Sequence, residues 1–136
     1  MKYEFEVIGK IRGKARPKVN TYTLRAYTPK ETKDYENLIQ QYFVLKYPKY
    51  VPIEGRVSVS ITAYFPIPKN TSKANTELML KNEISPTKKP DIDNIVKIVL
   101  DALNKIAFKD DNQITKLNVE KKYTEEEKIV VKIEEY

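Results

Sequence analysis

Apolar residues occupy every second position near the N-terminus, where Tyr3, Phe5 and Val7 alternate with Glu4 and Glu6. That is the period of a half-buried strand. The alternation returns at Val57, Val59, Ile61 and Ala63 and predicts a second strand within "RVSVSITAYF". Between the two, the period lengthens to that of a helix. Thr28 is placed to cap it, Pro29 to occupy its first turn and Glu31 to complete a capping box. Tyr35, Leu38, Ile39, Tyr42, Phe43 and Leu45 form its apolar stripe, and the helix must close before Pro48. Residues Pro66–Pro90 are polar and punctuated by proline, with a short helix expected within "SKANTELMLKNE"; this is the segment expected to move most. The strongest helical pattern follows over about Asn94–Ala107, with Val96, Val99, Leu100, Leu103 and Ile106 on one face. Two closing strands, "QITKLNVEKKY" and "KIVVKIEEY", flank the polar "TEEE" and read as a hairpin. The order β, α, β, (α), α, β, β predicts a single α+β domain over residues 1–136, a mixed sheet covered by helices.

Composition narrows the chemistry. The chain has 136 residues, enough for one real core. No window approaches the roughly 18 apolar residues of a membrane span. The N-terminal "MKYEFEVIGK" has no secretory apolar region, so a cytoplasmic protein without a membrane partner is expected. Without cysteine there is no disulfide and no thiolate nucleophile. Without histidine there is no imidazole base, no Ser-His-Asp triad and no His-ligated zinc. Any catalysis must rest on carboxylates, lysines, hydroxyls or a cation held by oxygen, which selects Mg²⁺, Mn²⁺ or Ca²⁺. The excess of 25 Lys and Arg over 19 Asp and Glu, net +6, favours a polyanionic partner, most commonly nucleic acid.

Against that basic background, four aspartates stand in two tight pairs beside lysines: Asp91 and Asp93 in "KKPDIDN", Asp110 and Asp111 in "FKDDNQ". Singly, each suits a cap or a turn: Asp93 an N-cap, Asp91 a turn after Pro90, "KDDN" a loop. Together, in a chain without imidazole, they are also the donor type that gathers Mg²⁺ to generate hydroxide and stabilise a pentavalent phosphate. Asp93, Lys97 and Asp101 step by four along one helix face. They read either as surface ion pairs or, for Lys97, as an ammonium one turn above a metal site, with Asp101 structural. "DIDN" begins like a calcium loop, but Val96 stands where that loop needs glycine. Pro90-Asp91 followed by Glu120-Lys121-Lys122 imitates a Pro-Asp…Glu-x-Lys nuclease signature, yet a long helix intervenes where that signature uses a strand hairpin. A helix of about 14 residues is roughly 21 Å long, so its two ends cannot share one cation through a short connection. Either the pairs do different jobs, or a two-fold dimer with antiparallel central helices brings Asp111 of one copy to Asp91 and Asp93 of the other.

The segment "KIRGKARPK" adds Lys10, Arg12, Lys14, Arg16 and Lys18, one cation at every second position, with Gly13 and Pro17 opposing a helix. Extended, all five would line one side about 6.8 Å apart, close to the phosphate spacing of a nucleic-acid strand. The bland alternative is a solvated loop that keeps the protein soluble. Lys88 and Lys89 beside Asp91 favour backbone contact, since a phosphate must be drawn toward the carboxylates.

The run "KKPDIDNIVKIVLDALNKIAFKDDNQI" resembles the signature of the RusA family of Holliday junction resolvases: paired aspartates, a lysine four residues on, "DALN", then "DDxQ". The similarity is dense over roughly residues 88–121 and extends to "GKARPK" and to overall length. It implies a small homodimeric endonuclease with Mg²⁺ (or Mn²⁺ in its place) that nicks two strands of a four-way DNA junction symmetrically. By position, Asp91, Asp93 and Asp111 match the family's essential acids, Lys97 its essential lysine and Asp110 the neighbouring acid. This chain departs from some members in having Pro90 where they carry arginine before the first aspartate, which leaves Lys88 and Lys89 as the candidates to substitute for that contact. The rival classes are a non-catalytic nucleic-acid-binding protein and a Mg²⁺ nuclease acting on other branched or duplex DNA.

Overall fold

The computed structural model describes residues 1–136. Its centre is a mixed sheet of four strands: β1 (Lys2–Ile8), β4 (Val57–Pro66), β5 (Ile114–Thr124) and β6 (Lys128–Glu135), in the order β1-β6-β4-β5. β6 runs antiparallel to both β1 and β4, and β5 lies parallel to β4 at the sheet edge. A two-stranded ribbon, β2 (Lys18–Val19) and β3 (Ala26–Tyr27), interrupts the basic segment. Helices α1 (Lys30–Lys46) and α3 (Ile92–Leu103) cover one face of the sheet, and the short α2 (Lys73–Leu80) lies against β5. No helix is long and apolar enough to cross a membrane.

The alternation along the strands places the core. Tyr3, Phe5 and Val7 lie opposite Ile133, Val131 and Ile129, which in turn oppose Val59, Ile61 and Ala63. Each of these nine side chains is buried beneath the helices, while Ser58, Ser60 and Thr62 point to the open face. From α1, Tyr35, Ile39 and Phe43 enter the core, with Phe43 edge-on to Tyr3 at 5.1 Å and to Phe5 at 5.4 Å. Gln40 ties α1 to α3 by donating to the Ala102 carbonyl at 2.9 Å.

Four expectations need correction. The closing strands are not a hairpin, because β4 is inserted between β5 and β6. β4 buries alternate residues along its whole length, whereas β5 carries Lys116, Asn118, Glu120 and Lys122, and a polar strand is best placed at an edge. Thr28 does not cap α1: Pro29 holds that position, no side chain caps it, and the first helical bond runs from the Lys33 amide to the Pro29 carbonyl. Leu45 leaves the stripe and is 80% exposed, since Tyr47 and Tyr50 pack on Phe43 instead. Finally, α3 starts earlier and stops earlier than the periodicity suggests. Its buried face is Ile95, Ile98, Val99, Ala102 and Leu103, with Val96 and Leu100 at the rim. Asn104 ends it and Lys105 turns left-handed at φ 67°, so that Ala107 and Phe108 reach the core from a loop paired with Ile53.

Candidate active site

The α3 N-terminus is where sequence and geometry first converge. Asp91 takes the N-cap position and Asp93 lies in the first turn, yet the Asp91 side chain makes no capping bond. Neither carboxylate pairs with a cation. Both are exposed, and the positive end of α3 favours their charge. Capping is therefore not what occupies their oxygens.

The basic arm docks against this helix end. The Lys14 amide donates to the Asn94 carbonyl at 2.9 Å. Gly13 is packed so closely that a Cβ there would lie 2.8 Å from Pro90 Cβ and 2.9 Å from Asn94 Cβ. Gly13, Lys14, Lys89, Pro90, Asp91 and Asn94 line a cleft of about 280 Å³. Lys10 and Arg12 line an adjoining cleft that shares Gly13, Lys89 and Pro90, with Arg12 loosely paired to Glu31 at 3.7 Å; Arg16, Lys18 and Lys88 are exposed.

Lys14 leaves this comb of cations. Its side chain is only 19% exposed, and its ammonium contacts Glu36 on α1 at 2.5 Å and Asp101 on α3 at 3.2 Å. Desolvation alone would lower its pKa, but the hydrogen bonds and charges of Glu36 and Asp101 outweigh that, holding the ammonium above its ordinary value. Asp101 also takes Lys97 at 3.4 Å, so Lys97 leans along the helix away from Asp93. Asp101 is structural, in keeping with its place on the helix, and it joins arm, α1 and α3.

The second acidic pair lies beyond the far end of α3. Gln113, the last residue of "DDxQ", accepts the Asp110 amide at 2.7 Å and donates to the Ile53 and Gly55 carbonyls, both at 2.8 Å. That one side chain fixes the short 3-10 turn Asp111–Gln113 and thereby Asp111, whose own carboxylate is exposed and unpaired. α3 has 12 residues, about 18 Å at 1.5 Å per residue. No group of three acids in the chain comes close enough to hold a cation. The Pro-Asp…Glu-x-Lys arrangement also fails: Glu120 and Lys122 pair with each other at 3.2 Å, and Glu120 lines the open face with Ser60 and Thr62.

Beside the first pair, on the helix-covered face, stands a residue that no motif singles out. Lys121 donates from its ammonium to the Lys88 carbonyl at 2.5 Å and the Pro90 carbonyl at 3.1 Å. Only the register Ala63↔Lys121 reveals that this lysine faces inward.

Exposed, unpaired carboxylates beside exposed lysines on a two-layer α+β scaffold are a combination that several classes of protein share. Comparison with known sequences makes the class specific. The profile of the family described as Endodeoxyribonuclease RusA matches residues 9–134, and the chain belongs to that family of endodeoxyribonucleases. It is also 36% identical over 139 residues to the Bacillus subtilis (strain 168) protein YqaN, described as uncharacterized, across 97% of this chain and 95% of YqaN.

Proposed function

We propose that the chain is a Mg²⁺-dependent endodeoxyribonuclease that resolves four-way DNA junctions by paired, symmetric nicks, acting in DNA recombination and repair in the cytoplasm. The observation that carries this reading is that Asp91, Asp93 and Asp111 all keep their carboxylates exposed and free of any cation, while Glu36 and Asp101 are taken by Lys14 and Lys97. Donors of that kind suit Mg²⁺, with Mn²⁺ as a substitute. Bound there, the cation would lower the pKa of an attacking water and offset charge on the phosphate. The protein's own contributions are positional. Lys10, Arg12, Arg16, Lys18, Lys88 and Lys89 draw the backbone phosphates over the α3 N-terminus. Lys14 holds the arm in place, and Lys97, released from Asp101, meets the charge that develops on the scissile phosphate.

Asp91 and Asp93 supply two carboxylates to a cation that takes six oxygen ligands, no third acid of the same chain joins them, and Asp111 lies beyond the other end of α3. A homodimer resolves this: Asp111 of a second copy completes each site, with Asp110 beside it. Two-fold symmetry also suits paired incisions in a two-fold junction. The unpaired β5 edge is one surface through which copies can meet, because Leu117 on it is 42% exposed and Asp111 lies just before the strand.

The test is incubation with an immobile four-way junction and with linear duplex, each in Mg²⁺ or EDTA. Metal-dependent paired nicks in the junction alone are expected. Binding without cutting would make the chain a non-catalytic DNA-binding protein, and equal cutting of both substrates a nuclease for other DNA.

A further inference from the structure

On the helix-covered face, the row Val7–Ile129–Ala63 is fully buried and apolar, and its next member on β5 is Lys121. A cation there breaks the pattern that every neighbouring strand obeys. It has no carboxylate partner within salt-bridge range. Instead its ammonium lies 5.2 Å from the centre of the Phe65 ring and donates to the carbonyls of Lys88 and Pro90. Those carbonyls bracket the Lys89–Pro90 peptide, immediately before Asp91. From Ser85 to Pro90 the main chain makes no other hydrogen bond; the next anchors are Ile84, bonded back to α2, and the Asp91 carbonyl that opens α3.

We infer that Lys121 is a positioning residue that pins the Ser85–Pro90 segment and so sets Asp91 and the phosphate-contacting Lys88 and Lys89 for cutting. A cation is suited to this because one ammonium has three donors and can hold two carbonyls at once. Bonds to a charged donor are also stronger than neutral ones. A methionine of similar length would fill the space beside Phe65 but release both carbonyls. The consequence for cutting rests on the nuclease reading above; the pinning itself does not.

Two readouts separate them. Trypsin cleaves after Lys88 but not at Lys89–Pro90, so cutting at Lys88 relative to Lys81 in the same chain, followed by mass spectrometry, reports loosening of the segment. Lys121→Met is expected to raise that ratio by about tenfold, the shift that losing a charged hydrogen bond gives in a local equilibrium. Lys121→Arg should stay near the wild-type ratio. In junction nicking, Lys121→Met should lower kcat by roughly 10- to 100-fold with KM nearly unchanged, as misplacement by a fraction of an ångström does. Lys121→Arg should recover most of that loss. An unchanged trypsin ratio in Lys121→Met overturns the pinning, and a raised ratio with wild-type kcat overturns its part in cutting. If the wild-type chain cuts no DNA, the nuclease reading fails while the trypsin ratio still decides the pinning.

Discussion

Gly13→Ala puts the docking of the basic arm to a test whose sign is decided by the geometry. Gly13 does not adopt a left-handed backbone, so alanine is conformationally allowed there. If space were open, alanine would stabilise by about 0.4–1 kcal/mol, because it restricts the unfolded chain. Space is not open. The added Cβ would sit 2.8 Å from Pro90 Cβ and 2.9 Å from Asn94 Cβ, where ordinary contact begins at 3.4 Å. Neither of those atoms can rotate away, since each is fixed directly to its backbone. The arm must retreat by about 0.6 Å, stretching the Lys14 amide bond to Asn94 from 2.9 Å. Overpacking of this kind costs about 1–3 kcal/mol; at the midpoints, about 2 against a gain of about 0.7, the net effect is about 1.3 kcal/mol of destabilisation, and about 2.6 at most. With an unfolding entropy near 2.1 cal/mol/K per residue, about 0.29 kcal/mol/K for this chain, Tm should fall by about 4–5 °C, and by about 9 °C at most. Thermal melting followed by far-UV circular dichroism measures it. A Tm equal to or above wild type would refute the close docking of arm and helix.

The remaining predictions follow from the same packing and pairing. Asp93→Asn should reduce Mg²⁺-dependent junction nicking by about 100-fold or more while junction binding in gel shift stays at least as tight; full activity would remove Asp93 from the site. Lys14→Met leaves Glu36 and Asp101 without their shared cation and should destabilise by about 2 kcal/mol, less than a fully buried pair because some solvent reaches it. The Lys14 pKa is raised on folding, so its contribution is complete below its unfolded pKa and is lost as pH climbs through the folded value. Burial first, then the Glu127 charge, also raises the Tyr35 phenol, so stability should hold to about pH 10 and fall above it. Because the Tyr35 hydroxyl is buried without a hydrogen bond of good geometry, Tyr35→Phe should stabilise by about 1 kcal/mol at pH 7 and move the alkaline loss upward. A denaturant titration at pH 7 and pH 11 checks both variants. Lys88→Gln with Lys89→Gln should lower the slope of log K against log salt for duplex DNA by about 1.8, or about 0.9 for each phosphate no longer neutralised.

Much of the fold is legible because burial here follows simple periods. Tyr3, Phe5 and Val7 alternate, and so do Val57 to Phe65, because each strand has one face under helices and one in water. The hairpin misreading arises because a polar "TEEE" between two strands looks the same whether or not a third strand lies between them. Only the weak apolar pattern of β5 hints that it is an edge. The acids are visible as residues, but what distinguishes them is which oxygens remain free, and that depends on distant partners. Asp101 is taken by Lys14 from the arm, 87 positions earlier. Gln113 fixes the Asp110–Asp111 turn through carbonyls on the loop before β4. Lys14 reads as one tooth of an extended comb until α1 supplies Glu36. Lys121 has no local signal at all, since its inward direction follows from pairing with β4.

The central claim is that Asp91 and Asp93 share a site with Asp111 across two copies. Mixing Asp93→Asn chains with Asp111→Asn chains, each inactive alone, tests it most directly. In a mixed pair one site loses both acids, and the other keeps intact Asp91 and Asp93 from one copy and intact Asp111 from the other. After subunit exchange the mixture should regain Mg²⁺-dependent nicking of a four-way junction, as single nicks rather than paired ones. A mixture that stays inactive, while wild-type chains taken through the same exchange cut normally, would contradict the shared site.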